Sequence, residues 1–323
     1  MTQLKSGILL LATAIFISCC SKDDDDQGTA SNDDGVVINV DEGLFLSGTT
    51  VTTVPCTLSD GTNTDCYQIV TNSMASDHDM GPWCPTNISD GAEAGGIWLE
   101  NGQVYDVDGA FIQNMATFYN DNTWMMYDAN GDIYITDTEQ DCINAANPNV
   151  GAAYENYCVE CLPSYISNLS QTWLIPVTPV KQSTPANFAM GGGPMGSTGP
   201  TVIGVAFNGI EFSGAAPVDA ILGAYTLAPF DDAGGHINVH QGYHYHAATG
   251  VSTEVAQNDG HATMIGYAMD GHAIYSQLNE DGTEPTDLDE CRGHYDDTRG
   301  YHYHVDAPGS NNFINCLAGA YVN

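Results

Sequence analysis

The chain repeats itself, and the repeat fixes where its histidines fall. Gly235-His236-Ile237-Asn238-Val239-His240-Gln241-Gly242-Tyr243-His244-Tyr245-His246 aligns without a gap onto Gly293-His294-Tyr295-Asp296-Asp297-Thr298-Arg299-Gly300-Tyr301-His302-Tyr303-His304, at an offset of 58 residues. Each copy reads GH, five residues, GYHYH. Upstream, Ile203-Gly204-Val205-Ala206-Phe207-Asn208-Gly209 matches Ile265-Gly266-Tyr267-Ala268-Met269-Asp270-Gly271 at an offset of 62. Two matched blocks in the same order indicate a duplicated supersecondary unit. The copies span about 203–250 and 265–309, and two such units can pack as a pseudo-twofold pair.

Alternate residues of a strand share a face. His244 and His246 therefore fall on one face and Tyr243 and Tyr245 on the other, and His302 and His304 repeat the pattern. Gly242 lets the chain turn back as a hairpin and bring His236 beside the pair. The clusters predicted are His236, His244 and His246, and in the second copy His294, His302 and His304. Three imidazoles with an open position suit zinc, and also copper or iron. Packed, hydrogen-bonded core histidines in a tyrosine-rich sheet are the competing reading. His240 has Thr298 as its counterpart, so the copies need not carry the same site. His261 and His272, near a repeat edge, rank below these. Nine of the ten histidines follow residue 235. The tenth, His78, lies in Asp77-His78-Asp79, where it can donate a ligand or a base, or where the aspartates can bond the amides of a turn.

These motifs resemble the YHYH-domain proteins. Asn72 to His78, Ile203 to Phe212, Gly235 to His246, Ile265 to Tyr275 and Asp287 to Gly293 look like five ordered segments of that family, covering the chain from about Thr71 onward. His272 stands where an apolar or aromatic residue is usual, and His304 where Phe is common. The second departure puts a metal site in the second copy in doubt as a family feature. The resemblance implies a secreted or lipid-anchored bacterial protein and supplies no activity.

Charge narrows the partners. With 41 Asp and Glu against 5 Lys and Arg, the formal net charge is −36. Nucleic-acid affinity needs cations against phosphates, so no nucleic-acid partner is expected, nor a polybasic membrane patch. The acidic surface attracts cations instead.

The N-terminal segment predicts export. Gly7 to Ile17 is apolar for 11 residues, too short for a bilayer span and right for a signal-peptide core. Ser18-Cys19-Cys20 resembles a lipoprotein cleavage box, with Cys20 the expected lipid carrier. Lys22-Asp23-Asp24-Asp25-Asp26 resembles the acidic export tract of Bacteroidetes surface lipoproteins. The expectation is a lipid-anchored protein on the outer face of the outer membrane, with no transmembrane span. Residues 1–20 read as signal peptide and 21–42 as an acidic disordered tether. Residues 43–185 read as a β-rich region and 186–323 as the region that holds the repeat.

Outside the cytoplasm, the remaining Cys56, Cys66, Cys84, Cys142, Cys158, Cys161, Cys291 and Cys316 form an even set that implies disulfides. Cys56 with Cys66 and Cys291 with Cys316 are the locally plausible pairs. Cys158-Val159-Glu160-Cys161 lacks both the βαβ setting of a redox site and the second pair of a zinc site.

Short β-branched and aromatic segments at Gly96 to Glu100, Gln103 to Val107, Trp124 to Tyr127 and Asp132 to Thr136 predict strands. Thr138 to Ala146 and Ala216 to Ala224 predict short helices. Asp128, Asn130, Asp132 and Glu139 mimic a calcium loop, but Ile133 stands where the loop needs Gly, and a hairpin turning on Asn130-Gly131 fits better. The fold class expected is mainly β with a few short helices, its C-terminal half a duplicated β unit. Three functions follow. The first is a surface protein that binds copper or zinc through its histidines, with calcium not excluded. The second is a metal-dependent extracellular oxidoreductase or hydrolase, with Asp77, Glu254, Asp270 or Asp289 as base. The third is a metal-free structural or adhesive module.

Overall fold

A computed structural model describes residues 37, 39–72, 74–81, 83–145, 147, 151, 153–157, 169–189, 199–238 and 241–323. The predicted signal peptide, Cys20 and most of the tether lie outside the described residues, as do Cys158, Cys161 and His240. The described residues belong to one unit, Gly35–Asn323. No helix among them is long and apolar enough to cross a membrane.

Antiparallel pairing begins where the acidic segment ends. β1 (Thr50–Thr57) runs against β2 (Asn63–Asn72), and the predicted Cys56–Cys66 disulfide joins them. β3 (Ile97–Glu100) and β4 (Gln103–Asp106) form a hairpin. It turns on Asn101 and Gly102, both at positive φ, the chemistry of a tight hairpin turn. α1 (Gly109–Phe118) starts at Asp108, whose carboxylate accepts the Phe111 N–H at 2.6 Å. Such a cap stabilises by about 1 kcal/mol. α2 (Glu139–Ala145) buries Cys142 and Ala145. β5 (Ser170–Pro176) adds to β2, and β6 (Lys181–Asn187) pairs later with the end of the chain.

The repeat supplies the rest. The first copy contributes β7 (Val202–Ala206), β8 (Glu211–Ser213), α3 (Val218–Gly223), β9 (Gly235–Asn238) and β10 (Gly242–Tyr245). The second contributes β11 (Met264–Ala268), β12 (Ala273–Tyr275), β13 (Gly293–Asp296) and β14 (Gly300–His304). β15 (Cys316–Gly319) pairs with β6, and Cys291–Cys316, the second predicted disulfide, ties it to the loop before β13. Cys84 is disulfide-bonded as well.

The eight repeat strands form one sheet in the order β13-β14-β12-β11-β7-β8-β10-β9. Each half has the same wiring: an antiparallel hairpin (β7–β8, β11–β12), a parallel contact (β8–β10, β12–β14) and a second hairpin (β10–β9, β14–β13). The halves meet where β7 and β11 run antiparallel, Gly204 opposite Ala268, Val205 opposite Tyr267 and Ala206 opposite Gly266. The duplicated unit and the mainly β class are as the sequence predicts.

The two faces of this sheet are covered differently. Val205, Tyr267, Ala273 and Tyr275 pack with Phe45, Ile69, Trp173 and Ile175, so β1, β2 and β5 cover the middle of one face. Phe212, Tyr243, Tyr245 and Tyr303 pack with Phe313 and Leu317 on the other.

Local expectations fare unevenly. β3, β4, α2 and α3 sit where predicted. The 124–136 hairpin is present as an isolated bridge, Tyr127 opposite Ile133. The Asp128 carboxylate accepts from Asn130 and Asp132 N–H within this turn, so the segment is a hairpin turn and not a calcium loop. α1 has no counterpart among the expected helices.

Candidate metal centres

In each GYHYH strand the tyrosines and histidines separate as the period of two requires. Gly242, at φ +88°, and Gly300, at φ +68°, reverse the chain, a conformation that glycine adopts readily. The reversal sets His236 opposite His244 and His294 opposite His302.

In the first copy, His236 Nε2 lies 3.1 Å from His244 Nε2 and 3.2 Å from His246 Nε2. All three rings are buried. Phe230 covers His236 and His246, with ring centroids 5.1 and 5.5 Å away. Phe230 is itself held by paired backbone bonds to Ile97 of β3.

In the second copy, His294 Nε2 lies 2.9 Å from His302 Nε2 and 3.2 Å from His304 Nε2. A fourth ring joins them, with His261 Nε2 3.0 Å from His302 Nε2. These four, and the three of the first copy, are the groups among the described residues whose ligand atoms converge within 4.8 Å. His261 and His294 are partly exposed and His302 and His304 buried.

In six of these seven histidines the other ring nitrogen faces a fixed oxygen. Nδ1 of His244 faces Gly242 O at 2.9 Å, and Nδ1 of His246 faces Gly214 O at 2.6 Å. In the second copy the partners are Gly300 O for His302 (3.0 Å), Ser276 O for His304 (3.0 Å), Ala262 O for His261 (3.1 Å) and Asp287 Oδ1 for His294 (2.9 Å). A carbonyl or carboxylate oxygen only accepts, so each of these Nδ1 atoms carries the hydrogen. Where such a ring is neutral, its Nε2 is then a bare lone pair aimed into the cluster. Histidine metal ligands are commonly oriented in this way, through the second nitrogen. Burial disfavours the charged form of the buried rings. It lowers His244 to about 4 and His302 to about 4. Burial, with a neighbouring histidine adding to it, lowers His246 to about 3 and His304 to about 3.

Several predicted site residues lie elsewhere. His78 joins neither cluster. Its Nδ1 is 2.9 Å from Asp77 Oδ1 and its Nε2 is 2.9 Å from the Tyr243 hydroxyl, so neither nitrogen is left for a metal. Asp77 also accepts from Thr253 and Asn208. Burial pushes its carboxyl up, but the bonds from His78, Asn208 and Thr253 outweigh this and hold it well below the usual carboxylate range. His272 packs against Tyr301 and Tyr303. Asp270 and Asp289 accept from the hydroxyls of Tyr303 and Tyr301, which belong to the tyrosine face. Asp77, Asp270 and Asp289 thus serve the face opposite the clusters and are not placed as bases for them. Glu254 bonds Thr263 and Ser276, one residue of which also holds His304 through its carbonyl.

The 58-residue offset extends further than the histidines. Asp231 accepts from Ala233 N, Gly235 N and the Tyr243 hydroxyl, and Asp289 from Cys291 N, Gly293 N and the Tyr301 hydroxyl. Asp231 and Asp289 share that offset, which was the signal available for them. Another missed group is buried Glu211, in register with His244 and bonded by Ser213 and Gln241. Burial raises its carboxyl, and those two bonds oppose the rise.

Fold and clusters together define a duplicated β-sheet protein with one candidate histidine metal centre per repeat. Residues 172–287 match the family model described as YHYH protein, a match that supports a YHYH-domain protein. The match includes the whole first cluster and His261, and ends before His294. No curated protein and no solved structure matches the chain.

Proposed function

We propose that this chain is a cell-surface lipoprotein that binds a transition metal, copper or zinc, at two histidine centres. The reading rests on one observation above others. His261, His294, His302 and His304 each turn Nδ1 to an acceptor, and their facing nitrogens converge, three of the pairs 2.9–3.2 Å apart and all of them within 4.8 Å of one another. Four converging acceptors repel unless a cation lies between them. Burial disfavours a proton on His302 and His304 in that role, lowering them to about 4 and about 3.

The close pairs are spaced near what a metal needs. With Zn–N bonds of about 2.0–2.1 Å, the edge of a tetrahedron is about 3.3–3.4 Å, so the three close pairs need to spread by only a few tenths of an ångström. Imidazole suits zinc and copper alike. The acidic surface would concentrate the cation. Anchoring rests on the signal-like segment, with Cys20 as lipid carrier and Asp23 to Asp26 as the export tract.

The test is metal content by mass spectrometry on the purified, untagged chain reloaded with copper or zinc. Two ions per chain are expected. His244→Ala/His246→Ala and His302→Ala/His304→Ala should each remove one. A folded protein that retains no metal would overturn the reading. Labelling of intact cells with a fatty-acid analogue, lost in Cys20→Ala, tests the anchor.

A further inference from the structure

The two centres are not copies of one another. By the 62-residue offset that relates β7 to β11, the counterpart of His261 is Gly199, which has no donor side chain. His261 sits in the loop before β11, outside the duplicated GYHYH pattern, yet its Nε2 reaches the second cluster.

That loop is clamped. Arg299, in the turn between β13 and β14, is 5% exposed and donates from one Nη2 to both oxygens of Asp259 at 2.6 Å. It also donates to Asp296 at 2.7 Å. Asp259 lies two residues before His261 and accepts the His261 N–H at 3.3 Å. On the far side, Asn279 accepts the Ala262 N–H at 3.1 Å. The Arg299 guanidinium also lies over the Tyr275 ring, 5.7 Å from its centroid, and that ring is 4.6 Å from His261. In the first copy the residue matching Arg299 is Gln241, which bonds Glu211 and Ser213 instead.

We infer that His261 is the fourth protein ligand of the second centre, and that the Arg299–Asp259 pair is the positioning device that keeps it there. The duplication thus carries two kinds of metal site. The described residues give the first centre three imidazoles. They give the second a closed set of four, whose fourth member depends on an ion pair outside the cluster. Releasing the pair would let the 259–262 loop withdraw. The second site would become a three-imidazole site with a position open to water or a small anion. This inference rests on the metal-binding reading above.

The test compares the full chain with His261→Ala, Asp259→Asn and the conservative Asp259→Glu, each loaded with cobalt(II) or zinc. Asp259 is half exposed in its side chain, so its substitution should leave the fold intact, as circular dichroism would check. Altering outer groups that orient a metal ligand typically weakens affinity about 10–100-fold. Competition titration should therefore show one zinc site weakened by that factor in Asp259→Asn and by at least as much in His261→Ala, with the other site unchanged. Asp259→Glu should recover most of the loss. Azide should add a cobalt absorption band in the two weakened variants beyond any it gives in the parent. If the parent binds two ions while His261→Ala keeps both affinities, the cobalt spectrum and the azide response unchanged, the inference is overturned and the metal reading stands. If the parent binds none, both fall together.

Discussion

Val205 stands opposite Tyr267 at the junction of the two repeats, and each is the other's counterpart in the duplication. The neighbouring pairs exchange the same way, Gly204 with Ala268 and Ala206 with Gly266. A pseudo-twofold axis therefore passes between Val205 and Tyr267, perpendicular to the sheet. It puts both histidine clusters on one face, with β1, β2 and β5 covering the space between them.

Four strands separate β10 from β14. Five spacings of about 4.8 Å put the clusters about 24 Å apart. Copper(II) bound at both should behave as two isolated ions. Pulsed electron paramagnetic resonance should find a separation in the range of about 20–30 Å, and the signal should integrate to two spins per chain. A strongly coupled, silent pair would contradict the topology.

Acid should weaken the metal-free protein before its carboxylates titrate. His244 and His302 lie near 4 and His246 and His304 near 3, against about 6.5 when unfolded. Between those limits the unfolded chain binds more protons, so stability is complete above about pH 6.5 and falls as pH drops toward 4. Glu211 and Asp231, which burial raises, act in the opposite direction. The histidine share is therefore the difference between the protein and a His302→Ala/His304→Ala variant. Urea midpoints at pH 7.5, 6 and 5 should fall more steeply in the unsubstituted chain.

Tyr303→Phe should separate stability from metal. The Tyr303 hydroxyl donates to Asp270 at 2.5 Å and accepts the Ala318 N–H at 2.7 Å, all of it buried. Leaving such groups without a partner costs about 1–3 kcal/mol. Urea denaturation should register that loss while metal content stays at the parent value, because this tyrosine faces away from the cluster.

His78→Ala should behave likewise. It removes the bonds to Asp77 and Tyr243 that fasten the loop at 74–81 to the tyrosine face. The expected outcome is a loss of about 1–3 kcal/mol with both metal ions retained. Loss of an ion on this substitution would return His78 to the list of ligands.

Reduction should loosen the C-terminal strand. Cys291–Cys316 closes a 25-residue separation and ties β15 to the sheet, a link that typically contributes about 2–4 kcal/mol. Cys291→Ser/Cys316→Ser should lower the thermal midpoint, and a reductant should then shift the variant less than the parent.

The GYHYH strands were legible because alternation is strict and Gly242 and Gly300 announce the turn. His261 gives little sign of itself in the sequence because a loop has no period, and only three-dimensional closure brings it to His302. The role of His78 is not legible in sequence because Asp-His-Asp carries no record of which partner claims each nitrogen. α1 went unseen because its Phe, Ile and Thr residues lean toward strands. Asp108, a good helix cap, was the signal available. Glu211 looked like an ordinary carboxylate, since nothing local says that Ser213 and Gln241 surround it.

Consider finally the alternation of Tyr243, His244, Tyr245 and His246. Each tyrosine hydroxyl is tied on one side, to Asp231 or Asn208, and each histidine Nδ1 to a carbonyl on the other. A slip of one residue would exchange the faces and break every one of these bonds at once. The strand is thus keyed in place before any ion arrives. The ion meets a finished mould, so loading should leave the backbone where it was, and the mould, more than the metal's own preference, should decide the geometry it adopts.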